Sequence, residues 1–230
     1  ASVSIGLTSS DLSEGTVAPA SLTFTSANWN TPQTVTATGV DDALADGPIP
    51  YAILTAAAVS SDPNYGGLDA VDAGVTNQDN DVAGISVSPA AGLTTTESGG
   101  TATFAVVLNT QPTADVTIGL TSANPAEGTV APASLTFTAA NWSAAQTVTV
   151  TGVDDAIVDG PIAYTIATAA AVSADPNYSG RDPADVAVTN TDDDGAGFTV
   201  TPTAGLLTSG PGATATFTVV RTSQPTFGVS

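Results

Sequence analysis

The sequence predicts an all-β chain of tandem Ig-like antiparallel Greek-key β-sandwiches, with seven strands in each repeat of 113 residues. The repeat is the first observation behind this: Gly15 to Asp42 aligns without a gap on Gly128 to Asp155, and 23 of the 28 positions are identical. The offset of 113 persists across Trp29 and Trp142, Tyr51 and Tyr164, Asp62 and Asp175, Gly84 and Gly197, and Phe104 and Phe217. The second is periodicity. Apolar residues recur at every second position and are rich in β-branched types, as half-buried strands require. The third is punctuation, since short runs separated by Pro, Gly and Asn turns favour a sandwich.

In the repeat present in full, the runs are Gly84 to Ser88, Thr101 to Asn109, Asp115 to Ser122, Ser134 to Thr138, Gln146 to Val153, Ile162 to Ala169 and Asp185 to Asn190. The second run points Ala102, Phe104, Val106 and Leu108 to one face. The third turns Val116, Ile118 and Leu120 inward, against Thr117, Gly119 and Thr121 outward. Leu135 and Phe137 serve the fourth, and Val148 and Val150 the fifth, against Thr147, Thr149 and Thr151. Ile162, Tyr164 and Ile166, then Val186 and Val188, complete two inner faces. Trp142 and its equivalent Trp29 follow the fourth run, where they are expected to plug the end of the sandwich rather than to stack on a sugar. The predicted domains are 1–82, a partial repeat from its third run onward; 83–194, a complete repeat; and 195–230, the first two runs and the start of the third.

Charge narrows the function. Twenty-two acidic residues face only Arg181 and Arg221, with no lysine or histidine, for a formal net charge of −20. Phosphate backbones and anionic lipid would repel such a surface, so nucleic acid and direct membrane insertion are poor partners and cations good ones. Without cysteine there is no disulfide, no thiolate nucleophile and no soft-metal ligand. Neither a transmembrane run nor a basic, apolar signal segment is visible. The chain has no methionine, so Ala1 is expected not to be a translation start and the sequence to be a processed or excerpted piece.

If the strands alternate in direction, the first, third, fifth and seventh runs end at one pole. The loops leaving them carry Glu97, then Glu127, then Asp154, Asp155 and Asp159, then Asp192, Asp193 and Asp194. The equivalents in the first repeat are Glu14, Asp41, Asp42, Asp46, Asp79 and Asp81, with Asn80 for the middle aspartate of the last triplet. Two carboxylates 4 Å apart repel by about 4 kcal/mol at an effective dielectric of about 20, and a divalent ion reverses that sign. Six to eight oxygen ligands suit Ca²⁺; Mg²⁺ takes fewer from protein and keeps its waters. The alternative is a set of solvated loop ends. The opposite pole carries Asp175, Pro176, Asn177, Tyr178 and Asp182, a loop that either lends a ligand or a packing tyrosine to the preceding domain or makes a rigid proline turn.

These residues resemble the Calx-β domain family, known from the regulatory Ca²⁺-binding domains of the sodium-calcium exchanger and from tandem arrays in large bacterial surface and adhesion proteins. The matching features are Thr96 to Gly100, the Leu135-Thr136-Phe137 strand, the Val148-Thr149-Val150 strand running into Val153-Asp154-Asp155, and the closing Asp192 to Asp194. The resemblance implies that Glu97, Asp154, Asp155 and Asp192 to Asp194 are Ca²⁺ ligands. Gly210 stands where a third repeat would carry the glutamate, so a ligand is missing there.

The expected function is that of a non-enzymatic, extracellular structural module. In it, tandem sandwiches of a secreted or cell-surface protein meet head to tail and Ca²⁺ stiffens the joints of a fibre or filament. A Ca²⁺-dependent adhesin or lectin module holding a surface or glycan ligand is the alternative, and a carboxylate-dependent hydrolase the least favoured. The two ends of the sequence are complementary, since Gly195 to Ser230 carries the two runs that Ala1 to Asp81 lacks. A continuous head-to-tail array is therefore expected, either covalent, in a longer chain, or by strand donation between identical subunits.

Overall fold

The computed structural model describes residues 1–227, and among them there are strands and turns but no helix. No helix is therefore long and apolar enough to cross a membrane. The chain divides into two compact units, Ala1–Ala83 and Gly84–Ser230.

The first unit contains β1 (Val3–Ser9), β2 (Gly15–Ala18), β3 (Ser21–Phe24), β4 (Thr36–Gly39), β5 (Ile49–Thr55), β6 (Val59–Ser60) and β7 (Ala73–Asn77). One sheet runs β3-β1-β5-β7 with β6 also on β1, and β2 pairs β4 in a ribbon. The second unit contains β8 (Ile85–Ser88), β9 (Leu93–Thr96), β10 (Thr101–Leu108), β11 (Val116–Ser122), β12 (Gly128–Ala131), β13 (Ser134–Phe137), β14 (Gln146–Gly152), β15 (Ile162–Thr168), β16 (Val172–Ser173) and β17 (Val186–Thr191). Two further strands, β18 (Phe198–Thr201) and β19 (Thr218–Arg221), pair with each other in a separate two-stranded sheet.

The second unit is an Ig-like sandwich of two sheets, ordered β12-β14-β10-β8 and β13-β11-β15-β17-β9, with β16 beside β11. All seven expected runs are strands, and β9, β12 and β16 are additional. Their signal is weak for physical reasons. β12 and β16 are four and two residues long, and β9 holds three successive threonines, which carry no alternation of polarity. β9 is set by its partner instead, lying parallel on β17 with Leu93 opposite Val188 and Thr96 opposite Thr191. The chain thus leaves the smaller sheet after β8, turns at Gly92 (φ 78°) and joins the larger one.

Alternation fills the interior. Phe104, Ile118, Phe137, Val148, Ile166 and Val186 are each 2% exposed or less. One glycine is required by contact: a Cβ at Gly128 would overlap the Tyr164 hydroxyl. Trp142 is half-buried at the end of the sandwich, where its carbonyl accepts the Leu108 N–H at 3.2 Å. Tyr178 is not a residue lent to a neighbouring domain, as one reading of its loop had it. It is fully buried in its own unit and its hydroxyl donates to the Thr110 carbonyl at 2.7 Å.

The first unit has the same sequence pattern but a smaller core, in which Leu7, Tyr51 and Ile53 are buried and Ile5, Val17, Leu22, Val35 and Val75 are packed against them only in part. Trp29 stands 71% exposed.

Candidate metal centre

The sheet order puts the ends of β9, β11, β14 and β17 at one pole of the second unit, and the loops that follow bring their carboxylates together. Glu97 follows β9 on a tight turn in which the Gly99 and Gly100 N–H groups both reach the Thr96 carbonyl, at 3.0 and 3.1 Å. Gly99 has φ 84°, the left-handed region open to glycine. The turn lies directly over β14: the Gly152 N–H donates to the Gly100 carbonyl at 3.0 Å, and a Cβ at Gly152 would overlap the Thr96 carbonyl.

Three groups of carboxylates in this unit each place one oxygen apiece within 4.8 Å of the others: Glu97 with Asp192 and Asp194, Glu97 with Asp154 and Asp193, and Glu127 with Asp155 and Asp159. Two oxygens bound about 2.4 Å from one Ca²⁺ are at most about 4.8 Å apart, so the spacing suits shared ligation of such an ion. Glu97 belongs to two groups and is 2% exposed. In the first unit Glu14, Asp42 and Asp46 form a fourth group. Asp41, Asp79 and Asp81 join no such group among the described residues, yet all three line the recess that holds Glu14, Asp42 and Asp46. That recess encloses about 10 Å³, about the volume of one water-sized sphere.

Backbone bonds fix the acids. The Asp192 carboxylate accepts the Gly160 N–H at 2.7 Å and the Asp194 N–H at 2.8 Å, and these two bonds hold its pKa below the usual value. Asp155 accepts the Ile157 N–H at 2.7 Å. Asp194 moves the other way, raised first by burial and then by Asp192, Asp193, Asp154 and Asp155, and its Oδ2 is buried without a hydrogen-bond partner. Burial pushes Glu97 up to about 7, partly offset by the Asp193 N–H, with Asp192, Asp155 and Asp159 adding repulsion. The first unit repeats the split. Asp79, which accepts the Asp81 and Gly47 N–H groups, is lowered, while Asp81 is raised by burial and by its acidic neighbours.

A buried carboxylate raised in pKa, a buried oxygen with no donor and acids on every side form a donor set that fits a hard cation and no anion. The pKa shift has a measurable consequence. Glu97 binds its proton more tightly folded than unfolded, so its contribution to stability is complete below its ordinary value of 4.5 and is lost as pH rises towards 7. In chelator, the melting temperature of the second unit should therefore fall between about pH 5 and 7.5, and Glu97→Gln should flatten that fall. A profile that keeps its slope in the variant would assign the titration elsewhere.

A layer beneath the acids is not evident from charge. Asn190 Nδ2 donates to Glu127 Oε2 at 3.3 Å and to the Val153 carbonyl at 3.1 Å, and its Oδ1 accepts the Thr95 hydroxyl at 2.9 Å. The Tyr164 hydroxyl lies 3.3 Å from the same Thr95 oxygen. One repeat earlier, Asn77 bonds Glu14 and the Val40 carbonyl in the same way. The recurrence of Asn77 as Asn190 at the end of the last run was the available signal.

No protein-family model and no curated protein matches the sequence. Solved structures do. The CBD12 domains of CALX1.2 match at 12% identity and TM-score 0.40, over 81% of this chain and 86% of theirs. Domains 4 and 5 of the S-layer protein SbsC match at 18% identity and TM-score 0.36, over 82% and 75%. WR4, a C. elegans member of the MSP family, matches at 13% identity and TM-score 0.31, over 47% and 96%.

Proposed function

We propose that the chain is a structural module of an extracellular, tandem-repeat surface protein, and that Ca²⁺ held at the acidic pole of each repeat stiffens it. The observation that carries this is the convergence of Glu97, Glu127, Asp154, Asp155, Asp159 and Asp192 to Asp194, from four separate loops, into three groups with ion-sized spacing. Glu97 bridges two ions, one held with Asp192 and Asp194 and one with Asp154 and Asp193. Glu127, Asp155 and Asp159 take a third. In the first unit Glu14, Asp42 and Asp46 hold an ion, with Asp41, Asp79 and Asp81 around it. The resemblance of the loop residues to the Calx-β family agrees with this set. Duplication of the whole unit, acids included, is how a spacer gains length.

Calcium titration followed by thermal melting tests the proposal. Binding to the native state alone stabilises by about 2.7 kcal/mol per site at 100 times Kd, and extracellular modules bind at about 10⁻⁴ to 10⁻³ M. Millimolar Ca²⁺ should raise the melting temperature, chelator should reverse the rise, and equal Mg²⁺ should do less. A melting temperature indifferent to calcium and chelator would falsify the ion's role.

A further inference from the structure

We propose that Asn190, and Asn77 at the same place in the first unit, is the positioning residue of its unit's calcium site: a buried amide that holds one oxygen of Glu127, or of Glu14, and so orients the carboxylate for the cation. The inference rests on the calcium reading above, and its test separates the failure of one from the failure of the other.

Asn190 stands near the end of β17, two residues before Asp192, and is 1% exposed. Its amide is fully used. The two hydrogens go to Glu127 Oε2 and the Val153 carbonyl, and Oδ1 accepts the Thr95 hydroxyl. These bonds reach the root of every acidic loop at the pole, because Thr95 lies two residues before Glu97, Val153 lies one before Asp154, and Glu127 is itself one of the acids. The main chain closes the ring, since the Val153 N–H donates to the Glu127 carbonyl at 3.0 Å. Glu127 is therefore held by backbone and side chain alike, within ion-sized spacing of Asp155 and Asp159.

Chemistry explains why an amide stands there. A buried carboxylate needs a donor to fix its direction, yet a lysine or arginine would neutralise it and take the place of the ion. An amide donates without charge, so Glu127 keeps its attraction for a cation. An aspartate would lack the donor and set a like charge against Glu127.

The first unit builds the same ring. Asn77 Nδ2 donates to Glu14 Oε2 at 3.3 Å and to the Val40 carbonyl at 2.8 Å, and the Val40 N–H donates to the Glu14 carbonyl at 3.0 Å. Space for the amide is kept in both units by a glycine: a Cβ at Gly152 would stand 2.6 Å from Asn190 Oδ1, and one at Gly39 2.5 Å from Asn77 Oδ1. Asparagine, glutamate and glycine each recur 113 positions on.

Calcium titration of the full chain, followed by ¹⁵N NMR, reads the two units separately through the amides that donate to their acids. Ile157 reports on Asp155, at 2.7 Å, and Leu44 on Asp42, at 2.8 Å. Asn190→Ala should raise the calcium midpoint at Ile157 by about 10- to 100-fold and leave that at Leu44 unchanged, and Asn77→Ala should do the reverse. Glu127→Gln should also raise the midpoint at Ile157, and adding Asn190→Ala to it should raise it little further, because the amide acts through the glutamate. A dispersed spectrum in chelator shows that each unit is folded. An amide that merely ties strands together would lower the chelated melting temperature without moving the midpoints. Should the alanine variants not fold, Gly39→Ala decides: it keeps every donor and acceptor, its methyl presses on the Asn77 amide, and it should raise the midpoint at Leu44 alone. If neither amide of the parent responds to millimolar calcium, the calcium reading falls and this inference with it. If the parent titrates and the folded variants keep its midpoints, or if Asn190→Ala and Glu127→Gln add in full, this inference alone is overturned.

Discussion

Glu97→Gln is expected to remove most of the calcium-induced rise in melting temperature of the second unit while leaving the chelated protein at least as stable as the parent at pH 7. Among the described residues Glu97 alone belongs to two of the carboxylate groups, so on the proposed reading its loss weakens two ions together. At 100 times Kd each ion stabilises by about 2.7 kcal/mol, and the pair by about 5 kcal/mol. For a domain of this size about 1 kcal/mol moves the melting temperature by roughly 4–8 °C, so the lost increment is on the order of 20 °C. Without calcium the sign differs. The native carboxylate is buried among Asp192, Asp155 and Asp159, and the amide keeps its shape and sheds its charge. Asp182→Asn, on the exposed turn at the other pole, should change neither value. If the calcium increment survives Glu97→Gln intact, Glu97 is not a shared ligand.

The contrast between these substitutions also shows which parts of the molecule were legible from sequence. Strands such as β10 and β11 alternate cleanly, and Val116, Ile118 and Leu120 point where the alternation puts them, into the core. Acids were found because charge recurs at fixed places in a repeated unit, and strand alternation alone put Glu97, Glu127, Asp154 and Asp192 at one pole. What escaped was structure specified by a distant partner. β9 exists because β17 offers it a parallel edge, and Asn190 matters because it meets Thr95, its neighbour on β9, and Glu127, which lie 95 and 63 positions away in sequence. Neutral polar residues carry no alternation or charge signal, and the recurrence of Asn77 as Asn190 does not say which distant groups the amide meets. Tyr178 is the opposite case. One of the two readings of its loop made it a contact for another domain, but the Thr110 backbone just after β10 supplies both a donor and an acceptor to its hydroxyl within the same unit.

Phe137→Ala should cost far more than Phe24→Ala, although both residues end the same Ser-Leu-Thr-Phe strand. Phe137 is 0% exposed between two complete sheets, and removing a buried phenylalanine costs about 3–5 kcal/mol through lost transfer energy and the cavity left behind. Phe24 borders the open recess of the first unit and is only half-buried, so solvent already covers part of the ring and can fill the space. Its loss should cost on the order of 1–2 kcal/mol, a fraction of the transfer term with little cavity term. Denaturant unfolding, with the two units followed by Trp29 and Trp142 in separate single-tryptophan variants, resolves the two costs if the units unfold as separate transitions. In chelated protein the gap should be wide, because the Phe137 ring is enclosed on all sides and the Phe24 ring is not. A cost for Phe24→Ala equal to that of Phe137→Ala would mean that the Phe24 ring is as fully enclosed as that of Phe137.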